Sequence, residues 1–297
     1  MMDKLTAVKV FLAVAESGSF TAAAEKLEMS KAMVSRHIAL MEQWLNARLL
    51  QRTTRHVGLT AAGEQALRYC RQINELAEDA VWEIAPADGE LRGVLRLTAS
   101  TSFGICHLAQ AVAGFGRQHP KLSIHLHVGD ETVNLVESGI DLAVRISSSP
   151  DSSLIARPLS PCRSLLVASP DYLAAYGIPQ HPDDLHQHRC LAHTNLNRSE
   201  WHFSNGGERH SLTLNNTVAG NDASVLLQTA LNGAGIAMLP RYMLGKHLEQ
   251  GTLQAVLPQW TLPEMTIYAL YPSRRQLSRP VRLFLDFLVD YCADRDW

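Results

Sequence analysis

The sequence predicts an α/β chain in three parts: an N-terminal winged helix-turn-helix, a long linker helix, and a larger domain in which strands and helices alternate. Three observations carry that prediction. Residues 19 to 38, SFTAAAEKLEMSKAMVSRHI, read as two short helices joined by a tight turn. A single helical pattern runs from Thr60 to about Ile84. From residue 93 onward, short apolar runs alternate with amphipathic stretches, the pattern of βαβ units.

The first helix is marked by Leu5, Val8, Phe11, Leu12 and Ala15. Lys9 interrupts this apolar run and Glu16 ends it, which favours an amphipathic helix over a secretory leader. Ser19 offers a side-chain cap to the second helix, whose expected apolar face is Ala22, Ala23, Ala24 and Leu27. Ser30 offers the same cap to the third. There Val34, Ile38, Met41 and Leu45 recur at helical spacing and should form one buried stripe. The opposite face carries Lys31, Ala32, Arg36, Ala39 and Gln43 with Ser35 on its flank, a small and cationic surface suited to a major groove. An ordinary alanine-rich helical hairpin is the alternative.

The chain then continues through Arg48, Arg52, Thr53, Thr54, Arg55, His56 and Val57 to Leu59. Such a basic, hydroxyl-rich turn reads as a wing whose side chains suit phosphate oxygens. The candidate DNA-contacting set is Ser19, Thr21, Ser30, Lys31, Ala32, Ser35, Arg36, His37, Arg48, Arg52, Thr53, Thr54 and Arg55. Charge agrees with it. The whole chain of 297 residues carries −2, yet residues 1 to 60 hold eight Lys and Arg against five Asp and Glu, so the excess of +3 sits at the proposed reader. That excess is modest, and a dimer that doubles the phosphate contacts is expected.

In the linker, Ala66, Cys70, Ile73, Ala77, Ala80 and Ile84 alternate spacings of four and three. A 3.5-residue repeat keeps one stripe facing a partner helix, whereas packing on the helix's own domain favours 3.6. A dimerising helix is therefore expected, with Pro86, Ala87, Asp88 and Gly89 as its terminating hinge.

In the larger domain the expected order is the strand GVLRLTA, a helix over 104 to 118, the strand LSIHLHV, a helix over 131 to 138, and the strand IDLAVRI. Further strands are expected at 163 to 168, 211 to 218, 235 to 239 and 266 to 271, with a last helix from Arg279 to about Cys292. Folds of this kind bind ligands beyond the carboxyl ends of strands. Ser100, Thr101, Ser102 and Phe103 occupy such a place, where hydroxyls meet a helix N-terminus that suits a carboxylate. A plain hydroxyl cap of the helix is the alternative. Arg145 ends a buried-looking strand and needs a ligand or a structural ion pair. Asn221 and Asp222 precede a helix and either line the cleft or cap it.

Catalytic signals are sparse. The sequence holds no H-E-x-x-H, G-x-S-x-G or Walker loop, and Gly233-Ala-Gly235-Ile reads as helix termination before a strand. Five cysteines without a C-x-x-C pair argue against a disulfide framework or a zinc ribbon. His186, His188, Cys190 and His193 offer ligand atoms, but their spacing straddles a loop and a strand, and no metal or cofactor is expected there. His125 and His127 share one strand face and should meet solvent or a subunit. No uncharged apolar run approaches the ~20 residues that span a bilayer, so a cytoplasmic chain without membrane partners is expected.

The stretches SFTAAAEKLEMSKAMVSRHIALMEQWL and RLLQRTTRHVGLTAAGE resemble the winged helix-turn-helix of LysR-type transcriptional regulators. GVLRLTASTSFG, IDLAVRI, ASPDYLAAYGIP, GAGIAMLP and VRLFLDFLVDY extend the resemblance over nearly the whole chain. It implies a two-lobed, periplasmic-binding-protein-like effector domain, with the chain crossing between lobes near 160 to 168 and returning near 265 to 270. The domains would be 1–60, 61–89 and 90–297. The resemblance also implies double-stranded DNA, a small-molecule effector with a carboxylate as candidate, and self-association as homodimer or homotetramer. RNA polymerase is a further candidate partner, and no enzyme activity is implied. The family's usual glutamine and proline are replaced by Lys31 and Ala32, which leaves the operator sequence open. Two other readings remain: a small-molecule-binding protein with protein-interaction helices, and an enzyme using the cleft histidines.

Overall fold

A computed structural model describes residues 3–52, 57–84, 90–131, 133–195, 200–214, 216–272, 277–293, 295 and 297. Two compact units are present: Met1–Gly89 with Val136–Gly139, and Glu90–Leu135 with Ile140–Trp297.

The first unit opens with α1 (Lys4–Ser17), α2 (Phe20–Lys26) and α3 (Lys31–Leu45). Each helix begins at a side-chain cap that satisfies an orphan backbone N–H. Asp3 accepts from Leu5 N at 3.1 Å, Ser19 from Ala22 N at 3.3 Å, and Ser30 from Met33 N at 3.2 Å. The turn between α2 and α3 is tight because Glu28 takes the left-handed region (φ 52°) and Met29 N donates to the Ala24 carbonyl at 2.9 Å. Val34, Ile38 and Met41 are buried against Val8, Phe11 and Ala23 in one core. Each such side chain contributes about 1.5–3 kcal/mol of burial.

Four expected apolar positions lie outside that core, the half-buried Ala15 among them. Leu45 is 40% exposed because it is the last residue before Asn46 turns the chain (φ 49°), one turn past the packed surface. Ala22 is exposed because the short α2 points only Phe20, Ala23, Ala24 and Leu27 inward, and Leu5 is exposed at the start of α1.

The wing strands β1 (Leu50–Arg52) and β2 (Val57–Leu59) pair antiparallel, with Leu50 opposite Leu59. Thr53, Thr54, Arg55 and His56 lie outside the described residues, as do the side chain of Arg52 and the hinge Pro86 to Gly89. α4 (Ala61–Ile84) follows, capped by Thr60, whose hydroxyl accepts from Gly63 N at 3.0 Å. The expected heptad seam is only partly free. Ala66 and Cys70 are buried in this unit's own core and Ile73 packs against it, so the first turns of α4 hold the unit together. Small seam residues explain the difference, because they let α4 approach its own domain closely.

In the second unit, β3 (Gly93–Ala99) leads into α5 (Thr101–Phe103), a π-turn over Gly104–Leu108 and α6 (Ala109–Gln118), followed by β4 (Leu122–Val128), β5 (Leu142–Ser147) and β6 (Ile155–Cys162). The chain then crosses to β7 (Ser164–Ala168), α7 (Pro170–Tyr176), a 3-10 turn over Pro182–Gln187, β8 (Cys190–His193), the hairpin β9 (Glu200–Asn205) and β10 (Glu208–Thr213), β11 (Asn216–Gly220) and α8 (Ala223–Leu231). β12 (Ile236–Pro240), α9 (Gly245–Glu249) and β13 (Gln254–Val256) complete this lobe before β14 (Met265–Tyr271) and α10 (Arg279–Ala293) return to the first. The two five-stranded sheets run β4-β3-β5-β14-β6 and β11-β8-β12-β7-β13. β3 pairs parallel with β4 and β5, and β8 pairs parallel with β11 and β12. The lobe crossing and return fall where the resemblance places them.

Some elements differ from expectation. The described residues of 131 to 138 form no helix: 133 and 134 are irregular and 135 to 139 are turns, since the stretch is short and ends at Gly139 in the left-handed region (φ 60°). The expected strand 211 to 218 is the end of β10 and the start of β11. β6 escapes a pattern search because Pro158 and Pro161 interrupt it, which an edge strand tolerates.

Phe103, His107, Tyr242 and Trp297 pack as one aromatic cluster, with the His107 ring 4.4 Å from that of Trp297. Burial pushes the His107 pKa down to about 4, helped by the Arg295 charge and opposed by the Tyr242 backbone. The folded-state pKa lies below the ordinary value, so this contribution to stability is whole above about pH 6.5 and is lost as pH falls toward 4. His107→Phe is therefore expected to flatten the stability loss between pH 7 and pH 5 by on the order of 1 kcal/mol after allowance for solvent screening. Urea unfolding at both pH values checks this, and parallel slopes in the two proteins would refute it.

Candidate nucleic-acid interface and effector cleft

The outer face of α3 presents Lys31, Ala32, Arg36, Ala39 and Gln43 to solvent, with Ser35 and His37 half-buried at its margins. Lys31 and Arg36 make no ion pair among the described residues. Thr21 and Arg48 are exposed beside this face. The hydroxyls of Ser19 and Ser30 are engaged as helix caps, which leaves their contribution to helix position. Glu42 was not singled out by the sequence reading, and it anchors the wing. Its Oε1 accepts from Leu49 N at 2.8 Å and Leu50 N at 3.2 Å, fixing β1 relative to α3. A glutamate at the polar edge of a helix gives no sequence signal of that role.

In the second unit the expected effector residues fall at the carboxyl ends of β3, β5 and β11, and Asp130 and His193 stand at the ends of β4 and β8. Ser100 precedes the helix as expected, but its side chain makes no cap, and its Oγ is buried without a partner among the described residues. The first backbone donor there is already engaged: Thr101 N donates to Asp130 Oδ2 at 3.3 Å. Ser102 Oγ lies 2.9 Å from the Tyr242 hydroxyl, joining the two lobes. Phe103 is 1% exposed and packs in the aromatic cluster, so its ring serves the core.

Arg145 on β5 donates from Nη2 to the buried Thr98 hydroxyl at 3.2 Å and from Nη1 to the Val144 carbonyl at 3.3 Å. Burial lowers its pKa and the nearby Asp130 charge opposes the fall. No direct ion pair holds it among the described residues. His193 stands at the end of β8, its pKa lowered by burial and supported by Asp130 and Asp222. Asp222 caps α8 through Ser224 N at 2.7 Å, and Asn221 is exposed. Asp130, Thr98, His193 and Tyr242 thus join the expected residues. Asp130 carried a signal, since it follows the strand LSIHLHV by one glycine.

A cationic helix beside a wing, joined to a two-lobed ligand domain, narrows the choice of family, and the comparisons decide it. Residues 5–64 match the bacterial regulatory helix-turn-helix of the lysR family, and residues 88–293 match the LysR substrate binding domain. The chain belongs to the LysR family of transcriptional regulators. It is 37% identical over 294 residues to an HTH-type transcriptional regulator of Xanthomonas campestris, covering 97% of this chain and 86% of that one. It is 36% identical to the regulator PtxR of Pseudomonas aeruginosa, covering 95% and 90%. Among solved structures, CrgA of Neisseria meningitidis, a LysR-type transcriptional regulator, is similar at a TM-score of 0.64 and 31% identity, with 99% of both chains covered. The full-length Vibrio cholerae virulence activator AphB is similar at 0.62 and 31%, covering 97% and 99%.

This LysR-type regulator is a DNA-binding protein with an effector-binding domain, and its remaining polar groups fit that architecture. The histidines and cysteine weighed as metal ligands do not converge. Cys190 is buried with its Sγ 3.8 Å from the Leu185 carbonyl, and His188 Nδ1 meets the Tyr172 hydroxyl at 3.3 Å. All five cysteines are free, and burial pushes Cys162 and Cys190 up to about 12, which keeps those thiols protonated. His125 and His127 are exposed on the edge strand β4. Gly233 ends α8 (φ 74°) and Gly235 (φ 158°) lets Ile236 N reach the Arg189 carbonyl at 2.8 Å, a helix stop before a strand. No helix among the described residues is long and apolar enough to cross a membrane.

Proposed function

We propose that this regulator reads base edges with Lys31, Ala32, Ser35 and Arg36, holds phosphates with Arg48, Arg52, Thr53, Thr54 and Arg55, and changes promoter occupancy when a small anionic effector enters the cleft. The observation that carries the reading is the outward face of α3, where two cations without an ion pair among the described residues flank alanines small enough to let the helix enter a groove. It acts in the cytoplasm, with no catalytic step of its own and with RNA polymerase as a downstream partner. A gel-shift titration on the DNA upstream of its own gene tests the reading. Saturable binding with a steep salt dependence supports it, and equal affinity for random DNA opposes it.

A dimer is part of the proposal. Tyr69 and Leu76 are exposed on α4 seven residues apart, with Ala80 exposed one turn later. Tyr69 and Leu76 lie off the seam expected in the sequence while Ala80 belongs to it, and together they suit a partner helix. Dimers then pair as tetramers.

For the effector, a carboxylate is the favoured class. The donors proposed to meet it are Arg145, the Ser100 hydroxyl, which is buried without a partner among the described residues, and the N-terminus at Thr101. Asp130 occupies that N-terminus with the chain's own carboxylate, so an incoming anion must displace or neighbour it. Asp130→Asn is accordingly expected to bind carboxylate effectors about tenfold more tightly, as removal of a like charge in a partly screened site would give. A thermal-shift screen of carboxylates and aromatic metabolites on both proteins measures this, and weaker binding by the variant would remove the carboxylate assignment. Lobe closure around the effector would then act on the Ser102 and Tyr242 contact, with coupling to DNA of about 1–3 kcal/mol.

A further inference from the structure

We propose that His181, Asp183 and His210 form a binding site for a divalent transition-metal ion of the zinc class. One ligand atom from each residue lies within 4.8 Å of the other two. His210 Nε2 is 2.7 Å from Asp183 Oδ1, and His181 Nδ1 is 3.3 Å from Asp183 Oδ2. Two of the ligands come from one tight segment. His181 caps the 3-10 turn Pro182–Gln187, and the Asp184 carboxylate pins that segment by accepting from His181 N at 2.9 Å and Gln180 N at 2.8 Å. The third comes from β10, far along the chain. A short-range pair completed by a distant residue is an arrangement in which an ion would fasten the hairpin β9–β10 to the 3-10 turn.

The geometry is near what such an ion needs. Bonds of about 2.0–2.1 Å in a tetrahedron place ligand atoms about 3.3–3.4 Å apart. His181 Nδ1 and Asp183 Oδ2 already have that spacing, whereas His210 Nε2 stands nearer the other carboxylate oxygen, Oδ1, so the exposed carboxylate turns to offer one oxygen to an ion held by both histidines. The Asp183 N–H reaches His181 Nδ1 only at 3.3 Å, a long contact that leaves the ring nitrogen available. Trp260 backs both rings, with centroids 5.3 Å from His181 and 6.2 Å from His210. The Asp183 side chain is 59% exposed, which gives an ion and its completing water access. Two ring nitrogens and one carboxylate favour Zn²⁺, Co²⁺, Ni²⁺ or Cu²⁺ over Mg²⁺ and Ca²⁺.

Tag-free, full-length protein titrated calorimetrically with Zn²⁺ at neutral pH tests the site. One tight equivalent is expected, and Asp183→Asn and His210→Gln should each weaken it at least tenfold. The double variant His125→Ala/His127→Ala, on the exposed edge strand, should leave it intact. Co²⁺ should quench tryptophan fluorescence, and Trp260→Phe should remove most of that quenching while the Zn²⁺ equivalent stays. Thermal melts without metal identify any variant that fails to fold, in which case the remaining variant decides. Absence of a stoichiometric Zn²⁺ equivalent in the wild type, or its survival in the folded Asp183 and His210 variants, overturns the proposal.

Discussion

Gly63→Ala is expected to destabilise the N-terminal unit by about 3 kcal/mol and to abolish DNA binding while the second unit stays folded. Gly63 lies in the first turn of α4, where that helix crosses the chain entering the wing. A Cβ built there would stand 2.0 Å from the Leu49 carbonyl oxygen and 3.1 Å from Leu59 Cδ2. The carbonyl cannot yield cheaply, because it accepts from Thr60 N at 3.0 Å and its residue is held through its own N–H by Glu42. Relief would require α4 to move off the wing, and the buried Ala66 and Cys70 would move with it. For a unit of this size the shift in Tm is on the order of 15 °C. Gly58→Ala supplies the control, since its Cβ would meet only the flexible Gln51 side chain at 3.6 Å. Differential scanning calorimetry separates the two, and equal melting temperatures for both variants would show that the close approach at Gly63 carries no such constraint.

The second large effect concerns recognition. Arg36→Ala is expected to weaken operator binding by about 1–3 kcal/mol and to relax sequence preference, because an arginine on the outer face of α3 can make a bidentate contact with a guanine edge. Arg48→Ala, beside the wing, should weaken operator and random DNA alike and reduce the salt slope by about one phosphate contact. Affinities on both DNAs at several salt concentrations distinguish the two roles. An Arg36→Ala loss of equal size on operator and random DNA would reassign that residue to the phosphate backbone.

The caps, the buried stripe and the cationic face of α3 could be read from the sequence because each rests on residues within a few positions of one another. Ser19, Ser30, Val34, Ile38 and Met41 behave as their spacing demands. Alternation of strands and helices placed β3, β4, β5 and β14, and the change of lobe followed from the resemblance. What stayed hidden depends on distant partners. Glu42 holds a strand seven residues away, Tyr242 reaches Ser102 across 140 positions, and His210 meets Asp183 through a hairpin. The linker shows the limit of periodicity, because a heptad pattern of small residues fits a partner helix and a close intramolecular crossing equally well. Ala66 and Cys70 took the crossing, and Tyr69 and Leu76 stay exposed.

The account rests on α3 and the wing entering duplex DNA in pairs. Footprinting tag-free protein at low ionic strength on the fragment upstream of its own gene tests this most directly. Two protected half-sites are predicted, separated by about one or more helical turns of 10–10.5 base pairs, with protection reduced by Arg36→Ala. Protection no stronger there than along unrelated duplex would contradict it.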